Sequence, residues 1–296
     1  MTQIKSVKGF DSNLSCRGFQ FEVGQSYSVK GKIKACENGF HACQNPFDVW
    51  RYYPVVDGDG KLARYAEVEQ SGSMDRDGDK IASAEITVKA ELSLPAFVRK
   101  AVQAVVDLTK DRDESGNDAQ IGSSGYGAQI GSSGNGAQIG SSGYGARIGS
   151  SGNGAQIGSS GYGAQIGSSG NDAQIGSSGY DARIGSSGYG ARIGSSGNGA
   201  QIGSSGNDAR IGSSGNGAQI GSSGNDARIV ATGTDAVVAS AGANTTFSGE
   251  EGSWVSLAEY VEGKCVGFAT GQIGKDGLRP GVQYRARGGK LVEVGQ

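Results

Sequence analysis

The stretch at residues 119–136 reads AQIGSSGYGAQIGSSGNG, and it contains two copies of one nonapeptide, [Asn/Tyr]-[Gly/Asp]-Ala-[Gln/Arg]-Ile-Gly-Ser-Ser-Gly. Ile recurs at every ninth position from Ile121 to Ile229, which makes thirteen copies. A short fixed period with few apolar residues is typical of solenoids, in which each unit buries its side chains against its neighbours. The sequence therefore predicts a mainly β fold built around a parallel β-solenoid.

Each repeat unit alternates apolar and polar residues over three positions. Ala and Ile are expected to face the core, and the Gln or Arg between them is expected to face water. The other six residues, Gly-Ser-Ser-Gly-[Asn/Tyr]-[Gly/Asp], are predicted to form the turn, because Gly, Asn and Asp accept positive φ and Ser hydroxyls bond to turn backbone. With two apolar side chains in nine residues the core is thin, so backbone ladders must contribute much of the stability.

A second period of 18 residues indicates how many units form one coil. The variable turn position alternates between Tyr (Tyr126, Tyr144, Tyr162, Tyr180) and Asn (Asn117, Asn135, Asn153, Asn171), until Tyr189 interrupts the alternation. Two units per coil stack the Tyr residues on one edge and the Asn residues on the other, about 4.8 Å apart. We expect a flattened two-sheet solenoid of six or seven coils, with its handedness and a triangular 27-residue coil left open. A flexible Gly/Ser linker is the alternative, and the invariant Ile disfavours it.

Composition divides the chain into three parts: an α+β N-terminal domain at 1–115, the solenoid at 116–243 and a small β C-terminal cap at 244–296. Strands are predicted at 18–23 and 64–69, and a first helix at the Asn45-Pro46 cap. A second helix is predicted after Ser93, and we expect its apolar face to pack partly over the open first coil. That face comprises Phe97, Val98, Ala101, Val102, Val105, Val106 and Leu108. No membrane-length apolar run or secretory signal is recognised, which favours the cytoplasm.

Four cysteines are present, a sparse set that favours reduced thiols over a disulfide framework. Cys16, Cys36, His41 and Cys43 have the ligand types of a tetrahedral zinc site. Their spacing matches no zinc knuckle, and Cys and His are also ordinary buried residues. We therefore expect no metal and no cofactor, with zinc kept as the alternative.

Three segments carry a family resemblance: Cys16-Arg17-Gly18-Phe19-Gln20-Phe21-Glu22, Ala35-Cys36-Glu37-Asn38-Gly39-Phe40-His41-Ala42-Cys43 and Arg64-Tyr65-Ala66-Glu67-Val68-Glu69. They resemble the N-terminal domain of a family of bacteriophage and prophage proteins, many of which carry short tandem repeats before a C-terminal module. The segments 281–284 and 289–294 resemble that module more weakly. The resemblance implies a phage setting and brings no established activity.

One alternative is enzymatic. Glu67-Val68-Glu69, with Arg17, Tyr27 and His41, resembles the mono-ADP-ribosyltransferase pattern, in which a strand-borne Glu stabilises an oxocarbenium-like ribose and His or Arg holds NAD. Glu at alternate strand positions more often marks the solvent face of a half-buried sheet. A single His in the chain also limits acid–base schemes. We therefore expect no enzyme and no catalytic residue.

The candidate binding residues are two rows on the solenoid. One is the Tyr ladder, Tyr126, Tyr144, Tyr162 and Tyr180; the other is Arg192, Arg210 and Arg228, spaced 18 apart. Arg147 and Arg183 are expected on the opposite face. From 117 to 236 the net charge is −1, which disfavours nucleic-acid binding and also DNA mimicry. The unit also departs from the calcium-binding nonapeptide, and its outward Gln and Arg differ from ice-binding Thr arrays.

These observations favour a non-enzymatic phage or prophage binding protein that uses the rigid solenoid as an interaction scaffold. The expected partner is a host protein, such as a defence factor, and no membrane partner is expected. A phage structural or adhesin protein is the second hypothesis, and homo-oligomers are left open. Tyr combines a large apolar body with a polar tip, which makes it a frequent interface residue. Stacking within the turns alone would also explain the Tyr ladder.

Overall fold

An antiparallel sheet closes on itself in the N-terminal domain. A computed structural model describes residues 3–57, 59–109 and 116–295 of the chain. The strands of this domain are β1 (Ile4–Phe10), β2 (Ser15–Cys16), β3 (Phe19–Gln20), β4 (Ser26–Ser28), β5 (Phe40–Cys43), β6 (Arg64–Asp77) and β7 (Lys80–Leu92). Strands β1, β6, β7 and β5 pair in a ring, and β4 pairs with β7. The predicted strand at 64–69 lies within β6, whereas only Phe19–Gln20 of the predicted 18–23 strand pairs.

Two helices follow the predicted starts. Helix α1 (Pro46–Val49) is capped by Asn45, whose Oδ1 accepts a hydrogen bond from the Phe47 N–H at 3.1 Å. Helix α2 (Leu94–Thr109) begins directly after Ser93. Its predicted apolar face is buried at Phe97, Val98, Ala101, Val102 and Val105. The side chains of Val106 and Leu108 lie outside the described part of the chain.

The repeats form a parallel solenoid with two strands per coil. Sheet I contains β8 (Gln120–Ser123), β10 (Gln138–Ser141), β12 (Gln156–Ser159), β14 (Gln174–Ser177), β16 (Arg192–Ser195), β18 (Arg210–Ser213), β20 (Arg228–Ala231) and β22 (Thr246–Gly249). Sheet II contains β9 (Gln129–Ser132), β11 (Arg147–Ser150), β13 (Gln165–Ser168), β15 (Arg183–Ser186), β17 (Gln201–Ser204), β19 (Gln219–Ser222), β21 (Val237–Ser240) and β23 (Trp254–Val261). Each strand pairs in register with the strand 18 residues on, as Ile139 does with Ile157. The two-unit coil predicted from the 18-residue period is confirmed.

The solenoid has about eight turns, more than the six or seven expected. The parallel ladder continues beyond residue 243, because Thr246 pairs with Arg228 and Leu257 pairs with Ser240. These last strands keep the backbone register after the nonapeptide sequence has degenerated. Side-chain identity therefore marks the duplicated units, and backbone pairing marks the true extent of the coil.

The strand of each unit is longer than the predicted three-residue alternation. Gly and the first Ser of each unit belong to the strand, so Ala, Ile and this Ser point inward while Gln or Arg and Gly point outward. Ser177 is fully buried beside Ile175 in the next coil position of the same strand. Among the described residues, the Oγ atoms of nine inward serines have no hydrogen-bond partner: Ser150, Ser159, Ser168, Ser177, Ser186, Ser195, Ser204, Ser213 and Ser222.

The turns carry a ladder of their own. The Asn153 Oδ1 accepts a hydrogen bond from the Asn171 N–H at 2.8 Å, and the same bond links Asn135 to Asn153 at 2.9 Å. The residue after each Asn or Tyr has positive φ, as at Asp172 (55°) and Gly127 (65°). This conformation explains why only Gly or Asp occupies that position.

Two hairpins cap the C-terminal end of the solenoid, which confirms the predicted small β cap. Strand β24 (Lys264–Gln272) pairs antiparallel with β23, and β25 (Tyr284–Arg287) pairs with both β22 and β26 (Lys290–Glu293). Phe247, Leu257, Ile273 and Tyr284 are buried where the two sheets end. Across the described residues, none of the helices has the length and apolar character needed to cross a membrane.

Candidate functional site

The N-terminal domain covers the outer face of sheet I. Helix α2 runs along this face from β16 to β8. A Cβ on Gly176 would lie 2.8 Å from the Phe47 ring, and one on Gly194 would lie 2.8 Å from the Trp50 ring. Glycine is required in this row because the N-terminal side chains occupy the space of a Cβ. The helix thus packs flat on the sheet, rather than over the end of the first coil as its apolar face suggested.

A buried polar contact fixes this packing. The Asn45 Nδ2 donates to the Gln156 Oε1 at 2.9 Å, and the Gln156 Nε2 donates to the Asp48 Oδ1 at 2.8 Å. Burial raises the pKa of Asp48, and the hydrogen bond from Gln156 opposes this shift. Gln156 and Gln174 are both buried, so the expectation that every outward Gln faces water is wrong on sheet I.

The outer face of sheet II is open. A Cβ on Gly131, Gly149, Gly167, Gly203 or Gly221 would meet no described atom within 4 Å. The Gly and Ser rows of this sheet line a shallow trough with a volume of about 1130 Å³. Arg147 and Arg183 are exposed in the Gln/Arg row beside it. The repeat therefore presents the same kind of surface twice, once covered and once open.

The C-terminal end of sheet II is apolar. Val237 and Trp254 are register neighbours and are 52% and 48% exposed. Phe268, which is 56% exposed, lines the end of the trough, and Val266 on the same strand is 58% exposed. Exposed apolar patches rimmed by polar groups mark interaction surfaces.

The predicted Tyr ladder lies on one edge of the solenoid, between the sheets. The Tyr126 and Tyr144 rings stack at 5.4 Å and the Tyr144 and Tyr162 rings at 5.0 Å, and all three are exposed. Tyr180 is on the same edge and is also exposed. A hydrogen bond to Asp181 raises the pKa of Tyr162.

The predicted Arg row lies on sheet I, beside the N-terminal domain. Arg192, Arg210 and Arg228 are register neighbours, as expected from their spacing. Burial lowers the pKa of Arg192, whose Nη1 lies 3.5 Å from the Asp172 Oδ1. Arg210 is also partly buried, which lowers its pKa. The structure thus separates the Tyr and Arg rows, and the exposed arginines of the open face are Arg147 and Arg183.

A cleft of about 470 Å³ in the N-terminal domain brings together the four candidate zinc ligands, Cys16, Cys36, His41 and Cys43. Among the described residues, however, no three His, Cys, Asp or Glu side chains are placed to hold a metal ion. The His41 Nε2 accepts a hydrogen bond from the Cys36 N–H at 2.9 Å. Burial raises the pKa of Cys43 to about 12, so this thiol stays protonated at neutral pH.

Lys8 reaches this cleft from β1. Its Nζ donates to the His41 carbonyl oxygen at 2.9 Å and to the Cys16 Sγ at 3.4 Å. Burial lowers the pKa of Lys8, and the rings of Phe10 and Phe21 lie 5.5 and 5.3 Å from Nζ. The sequence analysis did not single out Lys8, although a Lys between apolar strand residues was a signal.

The residues of the transferase pattern are dispersed. His41 and Arg17 line the cleft, but the Glu67 Oε1 is paired with the Lys100 Nζ at 2.8 Å and the Glu69 Oε2 with the Lys89 Nζ at 3.0 Å. The Tyr27 hydroxyl accepts a hydrogen bond from the Glu22 N–H. Both glutamates thus have cationic partners outside the cleft.

These features define a tandem-repeat β-solenoid protein that is covered on one face by its own N-terminal domain. A family model described as a domain of unknown function (DUF7666) matches residues 4–100, which form most of that domain. No curated protein and no solved structure matches the chain.

Proposed function

We propose that the protein is a non-enzymatic phage or prophage binding protein whose solenoid recognises a host protein in the cytoplasm. The observation that carries this proposal is the unequal covering of the two sheets. Sheet I is covered by α2 and its neighbours, whereas the same glycine row on sheet II is open. The phage setting rests on the resemblance of the N-terminal segments.

The partner is proposed to present an amphipathic helix to the trough of sheet II. On sheet I, the glycine row receives α2 together with Phe47, Trp50 and Val55. The repeat gives sheet II the same backbone, and its trough ends at exposed Trp254 and Phe268. An apolar helix face buried there would gain hydrophobic energy at about 25 cal/mol per Å². Acidic residues flanking that face would complement Arg147 and Arg183.

The Tyr edge is proposed as a secondary contact. Stacked Tyr126, Tyr144 and Tyr162 offer a flat exposed surface with few rotamers to order. Tyr side chains are enriched in interfaces because an apolar ring carries a polar tip. The edge borders sheet II, so one partner can contact both surfaces.

The test is affinity purification of tagged full-length protein from infected and uninfected bacteria, followed by reconstitution with the purified partner. The double variant Gly167→Leu/Gly185→Leu fills the trough without meeting a neighbouring side chain, and it should weaken a host-protein complex at least 10-fold. Lys30→Ala on the N-terminal domain is the matched control and should bind normally. Tyr144→Ala should weaken binding less than the trough variant.

Three results would count against the proposal. Virion proteins in place of a host protein would support the structural or adhesin hypothesis, as would a stable trimer formed by the isolated protein. A host protein that binds the trough variant as tightly as the natural chain would place recognition elsewhere.

A further inference from the structure

We propose that the cleft of the N-terminal domain binds a small phosphorylated molecule of mononucleotide size. This site is separate from the trough and does not depend on the proposed host partner. Its cationic residues are Lys8, Arg17, Arg51 and Lys80. They come from β1, the β2–β3 turn, the segment after α1 and the start of β7.

The charge of the cleft is one-sided. Four Lys or Arg residues line it, and no Asp or Glu is among its lining residues. Just outside, Asp79 lies 3.1 Å from Arg51, and Asp77 lies 3.7 Å from Lys80. Within the described part of the chain, Lys8 and Arg17 form no ion pair with a carboxylate. Two cations therefore face the cleft without a counter-charge.

Lys8 makes this imbalance costly. The residue is 4% exposed, and its Nζ has only a carbonyl oxygen, a thiol and two aromatic rings as neighbours. A buried ammonium group without a carboxylate carries an uncompensated desolvation cost. The lowered pKa of Lys8 has the same cause. A ligand anion in the cleft would supply the missing negative charge and a further hydrogen-bond acceptor.

Phosphate fits these groups better than a single carboxylate. A phosphate monoester has three terminal oxygens and close to two negative charges, which can bond an Arg fork and a Lys point charge together. Arg17 is exposed at the mouth of the cleft and Lys8 lies deep within it. The volume of about 470 Å³ lies within the range of small-molecule sites. Tyr52 and Tyr53 form part of the wall and offer ring surfaces to a planar group.

The experiment is calorimetric titration of the full-length protein with AMP, adenosine and inorganic phosphate as probes. AMP should bind, adenosine should not, and inorganic phosphate should compete with AMP. Arg17→Gln should weaken AMP binding about 10-fold, in keeping with the loss of one charge-assisted contact. Lys8→Met, which keeps the length of the side chain, should weaken it at least as much. Lys89→Gln, a cation removed from the outer surface at Glu69, should leave the affinity unchanged.

Failure of both AMP and phosphate to bind at millimolar concentration would overturn the proposal. Equal AMP affinity in Arg17→Gln and the natural chain would also overturn it. Because Arg17 is exposed, its variant should fold normally, so the test stands even where Lys8→Met fails to fold. Binding of phosphate without AMP would reject a ligand of mononucleotide size. Loss of AMP binding in Arg17→Gln, with host-partner binding intact, would separate this site from the trough.

Discussion

Gly176 lies directly beneath Phe47, and a Cβ on the glycine would stand 2.8 Å from Cζ of the ring. Nine residues further on, Gly185 occupies the same place in the repeat, but its Cβ would meet only a carbonyl oxygen at 4.0 Å. One sequence unit therefore serves two surroundings. On sheet I its glycine is a packing requirement, and on sheet II it leaves a surface open.

Gly176→Val should destabilise the protein by about 1–3 kcal/mol, the usual cost of forcing extra atoms into a packed contact. Gly185→Val is the matched control and should change the free energy of unfolding by less than about 0.5 kcal/mol, as surface substitutions do. Urea denaturation of both variants, followed by fluorescence of buried Trp50, measures the difference. Equal effects at the two glycines would contradict the packing of α1 on sheet I.

Ile175→Ala should cost about 2–5 kcal/mol, because Ile175 is fully buried and the thin core cannot collapse around the cavity. Ser177→Ala should be neutral or stabilising, because the buried Ser177 Oγ has no hydrogen-bond partner among the described groups. Thermal and urea unfolding of the two variants check this contrast. A large loss of stability in Ser177→Ala would show that its hydroxyl is satisfied in solution.

Duplicating residues 180–197 should preserve the fold, because 18 residues add one complete coil and keep every later strand in its sheet. Duplicating residues 180–188 should disrupt the fold, because nine residues transfer all later strands to the opposite sheet and separate the capping hairpins from their partners. Circular dichroism and size-exclusion chromatography of both proteins provide the measurement. A well-folded nine-residue duplication would be incompatible with two strands per coil.

Cys36 and Cys265 should react with iodoacetamide at pH 8, because both side chains are exposed. Cys43 should remain unmodified, because it is buried and its pKa is raised to about 12 by desolvation and nearby Asp48. The thiolate is the reacting form, so a raised pKa slows alkylation. Peptide mass spectrometry over time gives the three rates. A Cys43 rate similar to that of Cys265 would show that the cleft opens readily.

The stability of the N-terminal domain should rise with pH between about 5 and 7. Burial, followed by the charges of Lys8 and Arg17, lowers the pKa of His41 in the folded state below its ordinary 6.5. The unfolded state then binds more protons in this range, so folding weakens as the pH falls. His41→Gln keeps an acceptor for the Cys36 N–H but does not titrate. The stability difference between the natural chain and this variant should therefore shrink toward low pH, and parallel thermal-unfolding curves would contradict this cause.

Much of the fold was predictable from the repeat. The 18-residue alternation of Tyr126 and Asn135 gave the coil its two strands, and the Asn45-Pro46 pair gave the start of α1. The inward Ser was not predicted, because Ser in a Gly-rich run has the composition of a turn and a buried hydroxyl is costly. The extent of the solenoid was also underestimated, because Thr246–Gly249 joins the ladder through its backbone.

The candidate surfaces were only partly predictable. Spacing placed Arg192 and Arg210 on one face and Arg183 on the other, but the repeat treats both faces alike. The cleft around Lys8 joins strands that are distant in the chain, so no local spacing announces it.

The sequence by itself determined the coil, because a strict nine-residue period imposes the same strand and turn on every unit. Only the tertiary structure decided which face is covered, since that choice depends on where Phe47, Trp50 and α2 pack. Identical repeats carry no information that distinguishes sheet I from sheet II. The asymmetry comes from the N-terminal domain, whose apolar surface can be buried on one face only.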